Sequence, residues 1–269
     1  MNFRKFLSKG VSLKKQAPGW PEDGPISPCL RKLADTIQAE SPDEMGIQSI
    51  SAVGADLARI YAGRSLRVLF VDTGGSGVAP WRGLIILDTE LRGEGQVKSP
   101  GTLAMISHEL THLLQREINQ SHYWPSGGLR PALGRRWVGD STNYMEVLSY
   151  IVGWTVEHDF TAARMGAAGR TDRENARDKR TLERIKDRLA TLTGTDPRNA
   201  CRLVVKIFPD NAVYRQNLDL ENRIPDGRIP PGSWHSWLQQ MGFSRQAIDH
   251  IMILASQGSP ELIELDQIT

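Results

Sequence analysis

The sequence predicts an α+β protein: a core of helices with a small mixed sheet, followed by a helical C-terminal lobe. Apolar residues recur at helical spacing near the start of the chain, two short runs rich in β-forming residues follow, and helical patterns fill most of the remainder. With 269 residues the chain can bury a full core. We expect an N-terminal arm at 1–28, the core at 29–165 and the lobe at 166–269.

The N-terminal arm is predicted from its charge and composition. Its first 21 residues carry five basic residues and no acidic one, and it ends in the Pro- and Gly-rich stretch APGWPEDGPISP. The arm lacks the apolar stretch of about 7 to 15 residues that an export signal needs, so we expect a flexible basic segment. The alternative role is a lid or pro-segment over a cleft.

Each element of the core follows from a local pattern. Two helices are expected within 29–60, where apolar residues recur three and four positions apart. Residues 66–72 and 83–88 are short apolar runs separated by the breaker TGGSG, and they predict two strands.

Three longer helices are predicted after the strands. Ser99 is a suitable cap and Pro100 suits a first turn, so a helix is expected over 100–117. Capping residues open the apolar segment 139–157, and the heavily charged segment 171–194 follows the break GAAGR. The rest of the chain is expected to form short helices between Pro- and Gly-rich breaks.

Charge and composition exclude several classes of function. The 33 Lys and Arg residues nearly balance the 31 Asp and Glu residues, so no overall field favours nucleic acid. No run approaches the roughly 18 uncharged apolar residues of a membrane span. Cys29 and Cys201 are the only cysteines and neither lies in a CxxC pair, which favours a reducing, cytoplasmic location, with non-classical export left open.

The stretch SHELTHLLQRE, residues 107–117, carries the candidate chemistry. On a helix, His108 and His112 lie one turn apart on the same face and can bind one ion at about 2.0 to 2.1 Å. Glu109 is rotated by about 100° from that face, so its carboxylate reaches toward a water bound to the ion. Zinc would acidify this water, and Glu109 would take its proton and later protonate a leaving amine.

The alternative interpretation of this stretch is two surface histidines on an amphipathic helix. The neighbouring positions 103–107, 110, 111, 113 and 114 are all uncharged, which is typical of a buried site helix. We therefore expect a site that holds one zinc ion.

The motif HELTH has the form found in thermolysin-like enzymes, and the order of helix, two strands, HExxH helix and second helix resembles the core of the zincin metallopeptidases. The string HELTHLLQ is also similar to zincin-like domains of bacterial contractile-injection clusters. In zincins, the strand before the site helix binds substrate backbone as an added strand. The resemblance therefore implies that a peptide or protein substrate binds along an edge strand at 83–90.

The third metal ligand distinguishes the zincin subfamilies. The metzincin continuation needs a glycine and a histidine where this chain has Gln115 and Ile118, so that subfamily is excluded. Gluzincins use a glutamate from a following helix, and the resemblance places Glu146 of NYMEVLSY in this role, with 33 residues between it and His112. Glu146 is the only charged residue within 145–154, where a carboxylate is costly unless it meets a cation.

Other residues are candidates for supporting roles. Tyr150 stands where thermolysin-like enzymes carry an aspartate that orients a histidine, and a tyrosine could hydrogen-bond the imidazole without adding charge. His122 and Tyr123 are candidates for oxyanion stabilisation, and His122 is also the rival third ligand. Cys29 could cap the ion as a latent-enzyme switch, although a small buried hydrophobe is the commoner role of such a cysteine.

The expected function is that of a zinc-dependent peptidase of the gluzincin type. The aminopeptidase signature GxMEN does not occur in the sequence, so endopeptidase action is favoured. Two rivals remain: a zinc-binding structural or interaction protein without turnover, and an aspartic peptidase built on Asp72 of DTG, which occurs once and would need a homodimer. The segment 238–254 contains the string MGF and resembles the part of ubiquitin-associated modules that carries the MGF loop. A helical segment that only packs against the rest of the fold is the simpler interpretation.

Overall fold

The computed structural model of the chain describes twelve stretches of residues. These are 50–61, 67–71, 77–79, 84–88, 99–121, 143–165, 167–195, 197–209, 211, 214–215, 218 and 233–260. The predicted arm at 1–28 lies outside them, as do Cys29, Asp72, His122 and Tyr123.

Seven helices and three short strands have defined bounds within these residues. The helices are α1 (Ala52–Ile60), α2 (Pro100–Ser121), α3 (Asn143–Arg164), α4 (Asp172–Thr193), α5 (Pro197–Ile207), α6 (Trp234–Gln240) and α7 (Arg245–Ser256). The strands are β1 (Arg67–Val71), β2 (Gly77–Ala79) and β3 (Leu84–Asp88).

Helix α2 carries the HExxH motif and begins where the sequence predicts. Ser99 Oγ accepts a hydrogen bond from the backbone N–H of Thr102 at 3.1 Å, which satisfies one of the amide groups that a helix N-terminus leaves unpaired. Pro100 occupies the first helical position, where the missing N–H costs nothing. The helix continues to Ser121 and so passes the predicted end at 117.

Helix α3 packs along α2, and the two backbones approach each other closely at Gly153. A Cβ atom at this position would lie 2.8 Å from the backbone oxygen of Ala104 and 3.3 Å from Cβ of His108. Only a residue without a side chain fits such an approach without displacing its neighbours. The glycine therefore lets α3 lie directly against the turn of α2 that carries the first histidine of the motif.

Helix α4 is the heavily charged helix that the sequence predicts. Thr171 and Glu174 form a reciprocal capping box at its start, which pairs two amide groups of the first turn. Near the same end, the buried carboxylate of Asp178 accepts hydrogen bonds from Arg164 at 2.5 and 2.7 Å and from Arg170 at 2.6 Å. This network ties the start of α4 to the end of α3.

The hydrophobic core of the described residues is made where these helices meet. Fully buried aliphatic side chains come from all seven helices, and most of them lie on the first four. They include Leu57, Ile106, Leu110, Leu148, Ile151, Ile185 and Leu189. Burial of this apolar surface is the main force that holds the helices together.

The three strands pair in the order β1-β3-β2. β1 runs parallel to β3, with Arg67 opposite Leu84, and β2 runs antiparallel to β3, with Gly77 opposite Ile86. The strands are three to five residues long, which is short for a sheet that forms a core layer.

The predicted α+β fold class is wrong. Among the residues whose side chains are described, the buried core lies on helices and on the turns beside them. Helices α2, α3 and α4 have 22 residues each and bury their apolar faces against one another and the flanking helices. The described part of the chain is therefore of the helical class. The prediction expected a sheet built from two short apolar runs to form one layer of the core, whereas in the described part of the chain the long helices form the core.

The predicted edge strand at 83–90 is also wrong. β3 is the central strand: β1 pairs with its whole length, and β2 pairs with it from Leu84 to Ile86. From Leu84 to Ile86 both sides of β3 are therefore paired, so an added peptide strand would have to displace β2 there. The prediction missed β2 because its three residues lie at the edge of a glycine-rich segment that was interpreted as a break.

The helices of the predicted C-terminal lobe share the core of the preceding helices. α5 packs on α3 and α4, and α7 packs on α4, α1 and α3. Between α6 and α7, Gly242 has a φ of 88°, and Met241 and Phe243 beside it are buried, so the MGF loop packs into this fold. The boundary at 165/166 stays a prediction. Within the described helices, none is both long enough and apolar enough to cross a bilayer.

Candidate metal centre

Two neighbouring helices bring three metal-ligating side chains together. His108 and His112 project from one face of α2, and Glu146 projects from the first turn of α3. All three residues are buried, and one ligand atom from each lies within 4.8 Å of the other two. The group could hold a metal ion, and its three members are those that the sequence predicts.

The distances between the ligand atoms are short and similar. Nε2 of His108 lies 3.0 Å from Nε2 of His112. The carboxylate of Glu146 faces both rings, with Oε2 at 3.4 Å from His108 Nε2 and Oε1 at 3.5 Å from His112 Nε2. The three side chains therefore surround one small polar space between the two helices.

The ring of His112 is held by two neutral side chains. Its Nδ1 lies 3.1 Å from Oε1 of Gln115 and 3.2 Å from Oγ of Ser149. An amide oxygen can only accept a hydrogen bond, so Nδ1 of His112 donates to Gln115 and carries the proton. This tautomer leaves Nε2, the atom that faces His108 and Glu146, free of a proton in the neutral ring and available as a ligand.

Glu146 is held from the opposite side by a tyrosine pair. The hydroxyl of Tyr214 donates to Oε2 of Glu146 at 3.1 Å, and the hydroxyls of Tyr214 and Tyr150 are 2.7 Å apart. Tyr214 follows α5 and therefore belongs to the predicted C-terminal lobe. The site thus draws on residues from both sides of the predicted boundary.

Tyr150 supports the site in a different way from the predicted one. Its ring packs edge-on against the ring of His108, with centroids 4.6 Å apart, and stacks on Phe208 at 4.7 Å. Its hydroxyl meets Tyr214 and not an imidazole nitrogen. The aromatic ring therefore limits the rotation of His108, while the hydroxyl extends the network that reaches Glu146.

Burial and the close charges set the protonation of the site. Burial lowers the pKa of His112, but the Glu146 carboxylate outweighs this effect and raises that pKa to about 9. Burial works to raise the pKa of Glu146, and the two histidines nevertheless hold it well below its ordinary range. Without a cation, His112 and Glu146 therefore form an ion pair, and a metal ion must compete with the proton on His112.

Glu109, the predicted base, lies on α2 between the two histidines and is buried. Burial raises the pKa of its carboxyl group above the ordinary value, and the neighbouring histidines oppose that rise. The structure therefore places a carboxyl group of shifted pKa beside the three candidate ligands.

The sequence interpretation missed the residues that orient the ligands. Gln115 and Ser149 each lie three positions after a ligand, on the same helix face, so helical spacing could have identified them. Tyr214 is 68 residues from Glu146 and its local sequence gives no comparable signal. The predicted oxyanion candidates His122 and Tyr123 lie outside the described residues, so their roles stay predictions.

Comparison of the chain with protein families, with curated protein sequences and with solved structures gave no match. The geometry of the site and the sequence motif are therefore the observations that bear on function.

Proposed function

We propose that this protein is a zinc-dependent peptidase whose metal ligands are His108, His112 and Glu146 and whose general base is Glu109. The observation that carries the proposal is that one ligand atom from each of the three side chains lies within 4.8 Å of the other two. The buried Glu109 directly follows the first histidine on the same helix. Surface histidines would not share a buried space with a carboxylate from a second helix.

Zinc is the ion that the donor set favours. Two imidazole nitrogens and one carboxylate oxygen form a common ligand set of catalytic zinc, in which a fourth position stays open. A tetrahedral ion bound at about 2.0 to 2.1 Å has ligand atoms about 3.3 to 3.4 Å apart. The distances of 3.0, 3.4 and 3.5 Å between the candidate ligands are close to that value.

The bound ion and Glu109 have different roles in the proposed peptide hydrolysis. When bound, the ion supplies Lewis acidity, which makes a water molecule easier to deprotonate and a carbonyl group easier to attack. A carboxylate oxygen of Glu109 takes the proton from the attacking water. The water oxygen forms a bond to the peptide carbon, the carbon–nitrogen bond breaks, and Glu109 returns its proton to the leaving amine.

The substrate class in this proposal is peptides and proteins. Cleavage within the chain is favoured over removal of terminal residues, because the sequence has no aminopeptidase signature GxMEN. The resemblance of HELTH to the motif of thermolysin-like zincins, together with a glutamate ligand on the next long helix, supports the gluzincin type.

The test combines zinc content with hydrolysis of an unstructured protein, measured with and without a chelator. In Glu109→Gln we expect zinc to remain bound and hydrolysis to fall by about three orders of magnitude or more, because the amide cannot accept a proton. Glu183→Gln is the matched control, since this glutamate is exposed on α4 and the substitution is chemically the same. Its zinc content and rate should equal those of the wild type.

Three outcomes separate the alternatives. A wild type that holds one zinc ion and cleaves nothing would favour a zinc-binding structural or interaction protein. Full hydrolysis in Glu109→Gln would end the proposed mechanism. Glu146→Gln should lose most of its zinc, because the amide removes the only charged ligand of the three; normal zinc content in this variant would overturn the ligand assignment and the gluzincin type with it.

A further inference from the structure

We propose that Tyr214 is the positioning residue of Glu146: its hydroxyl group holds Oε2 of the carboxylate, so that Glu146 binds the ion through one oxygen, Oε1. The inference rests on the proposed metal site but does not depend on peptide hydrolysis. It assigns a role to a residue of the predicted C-terminal lobe, far from the HExxH motif in the sequence.

The contact geometry defines which oxygen is held. Tyr214 donates to Oε2 of Glu146 at 3.1 Å, and the same oxygen lies 3.4 Å from Nε2 of His108. Oε1 faces the other ring, at 3.5 Å from Nε2 of His112. A hydrogen bond to Oε2 withdraws electron density from that oxygen and makes it a weaker metal donor than Oε1, so it favours binding through Oε1.

The direction of the hydrogen bonds follows from the chemistry of the groups. An ionised carboxylate can only accept, so the Tyr214 proton points to Glu146. The oxygen of Tyr214 is then the acceptor for the hydroxyl of Tyr150, 2.7 Å away. The chain therefore runs from Tyr150 through Tyr214 to Glu146, and the two hydroxyls are not equivalent: only that of Tyr214 touches the carboxylate.

Aromatic packing keeps Tyr214 in place. Its ring is buried and meets Phe208 edge-on at 5.9 Å, and Phe208 in turn stacks on Tyr150 at 4.7 Å. Its backbone N–H donates to Oδ1 of Asn211 at 3.4 Å. A phenylalanine at this position would keep the ring contacts and remove only the hydroxyl, so Tyr214→Phe isolates the contact with Glu146.

The test uses the 269-residue chain and two matched variants of it, Tyr214→Phe and Tyr150→Phe. Each loses one hydroxyl of the same hydrogen-bonded pair and keeps its ring. We expect the zinc affinity, measured by competition with a chelating dye, to fall about tenfold or more in Tyr214→Phe, as is usual when a group that orients a metal ligand is removed. In Tyr150→Phe we expect a fall of less than about threefold.

Cobalt substitution supplies a readout that packing alone would not change. If the Tyr214 hydroxyl keeps Glu146 bound through one oxygen, its removal frees Oε2 to join the ion. The visible absorption bands of the Co²⁺-loaded Tyr214→Phe protein should then lose intensity, as happens when the coordination number of Co²⁺ rises above four. The bands of Tyr150→Phe should resemble those of the wild type. The thermal unfolding of both metal-free variants controls for loss of the fold.

Several results would overturn the inference. Equal losses of zinc affinity in the two variants would assign the effect to the hydroxyl pair and not to the contact with Glu146. Unchanged affinity and an unchanged Co²⁺ spectrum in Tyr214→Phe would remove its positioning role. A wild type that binds no metal refutes this inference and the proposed function together, whereas one that binds zinc without hydrolysing peptides refutes the peptidase alone.

Discussion

The close approach of α2 and α3 predicts that Gly153→Ala destabilises the protein and weakens its metal site. The new methyl group would lie 2.8 Å from the backbone oxygen of Ala104 and 3.3 Å from Cβ of His108. Ordinary contacts of this kind are at least 3.4 Å long, so the two helices must move apart by about 0.6 Å or more. The atom that must yield is a helix backbone oxygen and not the end of a flexible side chain.

The expected magnitude follows from two opposing effects. Overpacking a tight interface costs about 1 to 3 kcal/mol, and replacing glycine by alanine within a helix gains about 1 kcal/mol. We expect a net loss of up to about 2 kcal/mol in the free energy of unfolding, or up to about 8 °C in Tm. Because His108 sits at the contact, zinc affinity should also fall severalfold.

Thermal and urea unfolding of the metal-free protein measure the first effect, and zinc competition measures the second. Gly101→Ala on α2 is the control, because the nearest atom to its new methyl group would be Ser99 Oγ at 3.8 Å. This variant should be as stable as the wild type or up to about 1 kcal/mol more stable. If Gly153→Ala matched Gly101→Ala in stability, the helices would not meet as closely as described, and the reasoning would be wrong.

Two further predictions concern ionic contacts away from the metal centre. Replacing the buried Asp178 by Asn should lower the free energy of unfolding by about 2 to 4 kcal/mol, because it leaves Arg164 and Arg170 without their carboxylate. Urea unfolding measures this loss, and a value below about 0.5 kcal/mol would contradict the prediction. The hydrogen bond that His250 donates to the carboxylate of Asp159 raises the pKa of His250. Burial works to raise the pKa of Asp159, but its hydrogen bonds with His158 and His250 lower it. The stabilisation that His250 adds to the free energy of unfolding should therefore be complete between about pH 5 and 6 and disappear as the pH rises through its raised pKa. The difference in stability between wild type and His250→Gln should then be smaller at about pH 9 than at about pH 6. A difference that stays constant with pH would contradict this prediction.

Local sequence patterns determined the helix of the candidate site and its three candidate ligands. The HExxH spacing requires only that α2 is a helix, since residues four apart then share one face whatever surrounds them. Ser99 and Pro100 locate the start of that helix by the same local logic. Glu146 was predicted because a charged residue within an apolar helical segment needs a partner of opposite charge, and the zincin resemblance suggested which partner.

The tertiary structure decided the features that depend on which elements meet. The predicted fold class was wrong because the apolar content of a short segment does not reveal whether a sheet or a neighbouring helix will cover the core. The central place of β3 depends on β2, whose three residues carry too little pattern to predict. Tyr214 lies 68 positions from Glu146, and its hydroxyl reaches the carboxylate only because the folded chain brings this distant residue against α3. Spacing along one helix is a property of the sequence, whereas contacts between distant segments arise only when the whole chain has packed.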